Sequence, residues 1–220
     1  MARQGQYLGK ARRGPARPGK ARQGNQVKVS EMIKARVYLK SESPYSQSKV
    51  ITADKLPRET HDDYEKRTWR ERTHTTKDGH VFIPAQAFSS AIKEAAKFLN
   101  MQIPGQGKAT YTKNFLSAVA VMTPLVLPDI AAEVPGETLH VPSDGKPGGA
   151  KRVWKTFPRI DEWEGWIEFY IYDDIITREV FDRAINAAGL LIGIGRYRPR
   201  NGGMYGRFSV REVIWEPFNV

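Results

Sequence analysis

Between Gly193 and Arg207 the chain reads GIGRYRPRNGGMYGR, and four arginines, Arg196, Arg198, Arg200 and Arg207, fall inside one glycine-rich stretch. A guanidinium is planar, permanently charged and forked, so it suits a phosphate held through two oxygens. Glycine lets another backbone come close, and successive N–H groups in such a loop can cradle an anion. Tyr197 and Tyr205 add rings on which bases can stack. Residue types alone also allow a plainer arrangement, with a helix cap at Gly193 or Gly195, a turn at Asn201-Gly202-Gly203 and arginines that only meet water. A mononucleotide loop is excluded, because the stretch follows a helical pattern and lacks the Gly-Lys-Ser/Thr ending that such loops need.

A second group invites a metal. His61-Asp62-Asp63 could hold a divalent ion, but further ligands are required and only His74, His80 and His140 remain. We expect a solvated polar loop there, with no metal and no cofactor. No serine lies in a G-x-S-x-G elbow, and the absence of cysteine excludes disulfides, thiolate zinc and a cysteine nucleophile. The acids Asp161, Glu162 and Glu164, with Asp173 and Asp174, read as solvated or capping groups. Trp163 and Trp166 read as packing residues. The expectation is a binding protein rather than an enzyme.

Charge names the class of partner. The 220 residues carry a formal charge of +11, which favours an anionic polymer. Seven of those charges belong to MARQGQYLGKARRGPARPGKARQGNQ, residues 1–26, which has no acid and few large apolar side chains. Such a segment reads as a disordered basic arm. No apolar run approaches the roughly eighteen residues of a membrane span, and the N-terminus lacks the apolar stretch of a signal peptide. Both observations, with the lack of cysteine, fit a cytoplasmic protein.

The elements that position these residues follow from periodicity. VKVSEMIKARVYLKS (27–41) alternates as a strand, and the long polar segment 42–79 reads as an insertion in which DDYEKRTWRER forms a short helix. VFIP (81–84) is extended, and AQAFSSAIKEAAKFLN (85–100) gathers Phe88, Ala91, Ile92, Ala95, Phe98 and Leu99 on one helical face behind Pro84. NFLSAVAVMTPLVL (114–127) reads as a buried strand with Pro124 marking an edge or break, and 128–150 as loop-rich. RVWKTFPRIDEWEGWIEFYIYD (152–173) is an extended pair or one bent strand. A helix capped by Thr177 follows, and YGRFSVREVIWEP (205–217) closes the chain as a strand. The order predicts an α+β domain of ferredoxin-like, RRM-like β-α-β-β-α-β layout, residues 27–220. The open sheet face of that layout is a platform for single strands.

Two motifs also carry a resemblance. GIGRYRPRNGGMYGRFSV resembles the glycine-rich loop, G-(hydrophobic)-G-x-x-R-x-x-x-G-x-x-G-R-F, of the RAMP superfamily of CRISPR effector proteins. FIPAQAFSSAIKEAAK is similar to the IPGSSLKGALR segment opening the first helix there, with Ala85 and Gln86 replacing a glycine and a serine. The RPRNGGMYGRF version is also similar to proteins of phages and other mobile elements. The resemblance spans about residues 27–40 and 81–217. It implies a backbone subunit that binds guide RNA, repeats as a homo-oligomeric filament and joins other effector subunits in antiviral defence. It implies RNA contacts from Gln86, Ser89, Ser90 and Lys93, and from Gly193, Gly195, Arg196, Arg198, Arg200 and Arg207, to which the residue types of the loop add Tyr197 and Tyr205. The insertion takes the place of a thumb-like hairpin, with Lys49, Arg58, Lys66, Arg67, Arg70 and Arg72 as basic contacts and Tyr45, Tyr64 and Trp69 for stacking. Some relatives cleave target RNA with an acid near the thumb, and Asp54, Asp62 and Asp63 stand nearby without a pattern that selects one. Two other readings stay open: a single-stranded DNA binding or annealing protein of a phage or mobile element, and a structural oligomer whose arm neutralises nucleic acid.

Overall fold

The computed structural model describes residues 32–143 and 151–218. The basic arm, residues 1–26, lies outside them. In chain order the elements are β1 (Met32–Ser41), β2 (Tyr45–Ser46), α1 (His61–Thr68), β3 (His80–Ile83), α2 (Ala85–Leu99), α3 (Thr112–Ala118), β4 (Val119–Val121), β5 (Leu125–Ile130), β6 (Gly136–Pro142), β7 (Arg152–Ile160), β8 (Glu164–Ile171), α4 (Arg178–Ala187) and β9 (Phe208–Phe218). A 3-10 turn, Trp69–Arg72, extends α1, and a π-helical turn, Ala188–Ile192, extends α4.

Strict alternation makes β1 the spine of the molecule. Ala35, Val37 and Leu39 are fully buried on one side, while Lys34, Arg36 and Tyr38 take the other. β1 pairs antiparallel with β8 on one edge and β9 on the other, with a bulge at Tyr38/Leu39, and β4 adds to β8. The four-stranded sheet therefore runs β4-β8-β1-β9, all neighbours antiparallel. α2 and α4 cover its apolar face. Phe88, Ala91, Ile92 and Ala95 come from α2, and Phe181, Ala184 and Ile185 from α4. Phe181 meets Phe169 of β8 edge-on at 5.4 Å, and Phe88 meets Phe208 of β9 at 6.2 Å. Thr177 caps α4 by accepting from the Val180 N–H, and Asn100 ends α2 in the left-handed conformation.

The sheet's other face is open but not basic. Arg36 and Lys34 both reach Glu168, at 3.5 and 3.8 Å, and Lys40 reaches Glu164 at 3.9 Å. Tyr38 and Trp166 pack at 5.2 Å beneath them. Acids thus partly offset the bases across the face expected to serve as the platform.

Three assignments change. Residues 114–118 belong to α3 rather than to a strand, because Phe115 and Ala118, three apart, bury one helical side. Strand geometry begins only at Val119 and resumes at Leu125 beyond Pro124. The stretch 128–150 is not all loop: β5 runs to Ile130, and β6 forms a hairpin ladder with β7 from Gly136↔Pro158 to Pro142↔Arg152. The segment 152–173 is an extended pair, β7 and β8, rather than one bent strand. β7 joins a three-stranded sheet, β2-β7-β6, whereas β8 joins the main sheet. The last strand starts at Phe208, three residues later than expected.

Candidate nucleic-acid interface

The glycine-rich loop is braced by its own backbone. Behind α4 the π-helical turn brings Gly189 against the Phe208 carbonyl, where a Cβ would collide. Ile194 N–H then donates to Gly206 O, Gly206 N–H to Pro44 O, Arg196 N–H to Ser46 O, and Arg207 N–H to Ser43 Oγ. Gly203 and Tyr205 donate to Arg198 O and Tyr197 O. The loop is thereby stitched to the β1–β2 connection and folded on itself. Gly206, at φ +74°, has the Ile194 carbonyl where a side chain would start, so glycine is required for both conformation and space. Most of these N–H groups are already used, so the anion cradle expected from the backbone is not what the loop presents. It presents side chains.

Those side chains point in two directions. Arg198 and Arg200 turn to α2 and share one carboxylate: Arg198 Nη2 lies 3.1 Å from Glu94 Oε2, and Arg200 Nε donates to Glu94 Oε1 at 2.9 Å. Lys93, Lys97 and Ser90 flank this pair around a shallow depression. Arg196 and the two tyrosines turn instead to the β6–β7 hairpin. The Arg196 guanidinium lies 3.5 Å from the Phe157 ring centroid, and Tyr197 and Tyr205 meet at 5.6 Å. Burial pushes the Arg196 guanidinium below its usual pKa, and burial with the nearby Glu137 raises the Tyr205 hydroxyl. Between loop and hairpin opens a cavity of about 740 Å³ whose bases are Arg72, Arg152, Lys155 and Arg196. A second hollow of about 550 Å³ lies alongside, sharing Ser48, Arg72 and Lys155 and walled by Trp154. Trp154 is 62% exposed and stacks at 4.8 Å on His140.

The predicted residues separate accordingly. Gln86, Ser90 and Lys93 line the outer side of α2, where Gln86 Nε2 donates to Ser90 Oγ. Ser89 is only 4% exposed, because it falls on the helix side carrying Phe88 and Ile92, and cannot touch a strand. Gly193 is buried; Gly195 is exposed but packs its backbone on Tyr45. Arg207 donates to the Leu190 carbonyl and steadies the loop base.

The insertion is no protruding hairpin among the described residues. β2 pairs with β7, and α1 is docked by Arg72, which grips Glu65 through two hydrogen bonds of 2.7 and 2.9 Å and also donates to Thr156 O. Arg72 is thus a nearly buried strut. Arg67 holds Glu59 the same way and keeps that carboxyl down at about 2. Tyr45 sits in the core against Trp163, and the Tyr64 hydroxyl donates to Ala53 O, so neither is free to stack. Trp69 packs over Gly136 with Arg70 above its ring. Lys49, Arg58 and Lys66 remain exposed. His61, Asp62 and Asp63 form the first turn of α1, where Thr60 accepts from the Asp63 N–H and the acids face the helix's positive end. Sequence reasoning missed the hairpin wall: Glu137, His140, Arg152, Trp154, Lys155 and Phe157. The residues 152–157, RVWKTF, were read only as part of an extended segment.

No family model and no curated protein matches the sequence. Solved structures do. One is a type III-B Cmr-beta complex bound to cognate target RNA (TM-score 0.48, 11% identity, 85% of this chain and 61% of that one). Another is Cmr6 from Pyrococcus furiosus (TM-score 0.42, 14% identity, 81% of this chain and 99% of that one). A third is a CRISPR RNA-guided surveillance complex (TM-score 0.29, 9% identity, 71% and 58%). The neighbours include CRISPR assemblies. The chain spans less than two thirds of the length of the first and third structures.

Proposed function

We propose that this chain binds single-stranded nucleic acid, guide RNA foremost, as a repeating subunit of a CRISPR-type ribonucleoprotein. One observation carries the reading: the arginine-bearing loop and the β6–β7 hairpin together wall a basic, aromatic groove on a molecule of high net charge. Guanidinium and ammonium groups meet phosphates while Tyr197 and Trp154 offer faces to bases, which is how sequence-tolerant single-strand grooves work. The strand order β4-β8-β1-β9, with α2 and α4 on one face, supports a ferredoxin-like body as the scaffold. Binding, rather than catalysis, is the proposed activity, since the groove brings together bases and aromatic rings, the groups that hold phosphates and stack on bases.

The test is purification in high salt from the native operon, followed by absorbance ratio and nuclease digestion. RNase-sensitive material of uniform length is expected. Arg152→Glu with Lys155→Glu should strip it, since both lie on the groove's outer wall and neither is buried. Protein free of nucleic acid, or material sensitive to DNase alone, would overturn the guide-RNA reading.

A further inference from the structure

Among the described residues, the groove holds one acid with its bases. Glu137, on β6, lines the cavity with Arg72, Arg152, Lys155 and Arg196. A surface that only holds phosphate gains nothing from a carboxylate, which repels the anion. Nor is Glu137 locked in a tight ion pair: its Oε1 accepts the Tyr205 hydroxyl at 2.8 Å and stands 3.8 Å from Arg159 Nη1. Its Oε2 is buried without a hydrogen-bond partner, and so is Nη1 of Arg196 in the same wall. Arg196 stays laid on Phe157 rather than swinging to close the pair. Glu137 and Arg196 both line the cavity beside Tyr197 and Tyr205, and each keeps one polar atom covered and unmet in its wall. Each unmet atom costs free energy that a ligand recovers once the side chain turns to it.

We propose that this cavity takes a guanine base of the bound strand, with Glu137 accepting from N1–H and N2–H and Arg196 donating to O6. The inference rests on the nucleic-acid reading and adds base selectivity to it. A carboxylate offers two acceptors side by side. Guanine alone among the common bases presents two adjacent N–H donors on its Watson–Crick edge, with an acceptor next to them. Adenine and cytosine place a ring acceptor beside their amino group, and uracil flanks its N–H with two carbonyls, so each meets repulsion. The last torsion of a glutamate is broad, so both oxygens turn to the base once Oε1 gives up the Tyr205 hydroxyl. Exposed Tyr197 supplies a stacking face, and Arg152 and Lys155 stand where the flanking phosphates would pass. A cavity of about 740 Å³ accommodates a nucleotide.

The experiment uses the full chain and labelled uridine tracts that differ in one central nucleotide, read by fluorescence anisotropy. The guanine-bearing tract should bind about tenfold more tightly than those with adenine, cytosine or uracil. Glu137→Gln should erase that preference, so that the four tracts bind alike. On the unaltered protein, guanosine monophosphate should displace a tract at lower concentration than adenosine monophosphate. Equal binding of all tracts, or a preference that survives Glu137→Gln in a folded variant, would overturn the guanine site and leave nucleic-acid binding intact. Failure to bind any tract would overturn both.

Discussion

Glu94 decides how much of the loop's charge a nucleic acid meets. Its carboxylate occupies both Arg198 and Arg200, at 3.1 and 2.9 Å, much as a phosphate would. A bound strand must displace it or share the arginines with it. Glu94→Gln removes the competing charge, so single-strand affinity should rise several-fold at low salt. The slope of log affinity against log salt should steepen by roughly 0.7 for each phosphate newly neutralised. Anisotropy titrations across a salt series check this. A loss of affinity would instead make Glu94 the group that aims the two arginines. The ion pair joins residues 94 and 200, over a hundred positions apart, and no local pattern in the sequence announces it. The arginines themselves were legible as a cluster; what they hold was not.

At the scale of elements, legibility followed burial. α2 and α4 were readable because their apolar residues recur at helical spacing behind Pro84 and Thr177, and β1 because every second residue is buried. β6 was not, since GETLHVP has no buried residue: its side chains alternate between exposed and half-buried, and the strand is held by its ladder to β7. α3 was misread because a seven-residue helix leaves too short a trace to separate from an apolar strand. The loop depends on glycines for different reasons, and two substitutions separate them. Gly202→Ala meets open space and suffers only its φ of +77°, a strain on the order of 1 kcal/mol. Gly206→Ala has a similar φ but also drives a methyl into the Ile194 carbonyl. Its destabilisation in urea should exceed that of Gly202→Ala by about 2 kcal/mol or more, with nucleic-acid binding lost because Arg196 and Tyr205 move with the backbone. Equal losses for the two variants would mean that the loop is not packed as described.

For the whole molecule, charge is unevenly placed. Residues 1–26 hold +7 of the formal +11, leaving about +4 for the other 194 residues. Part of the body's basic charge is engaged, with Arg36, Arg67, Arg72, Arg159 and Arg211 all in ion pairs. Two designs would produce the same high net charge: an arm that alone holds the polymer, or a groove that defines the site while the arm adds attraction. Deletion of residues 1–26 distinguishes them. If the groove is the site, the truncated chain should still bind single strands, more weakly. Its salt slope should be shallower by at most about 5, the limit set by seven phosphate contacts. The preference between strands of different base composition should persist, because an arm of arginines, lysines and glycines reads phosphates and not bases. Complete loss of binding on deletion would transfer the function to the arm and reduce the groove to a structural seam between the loop and the hairpin.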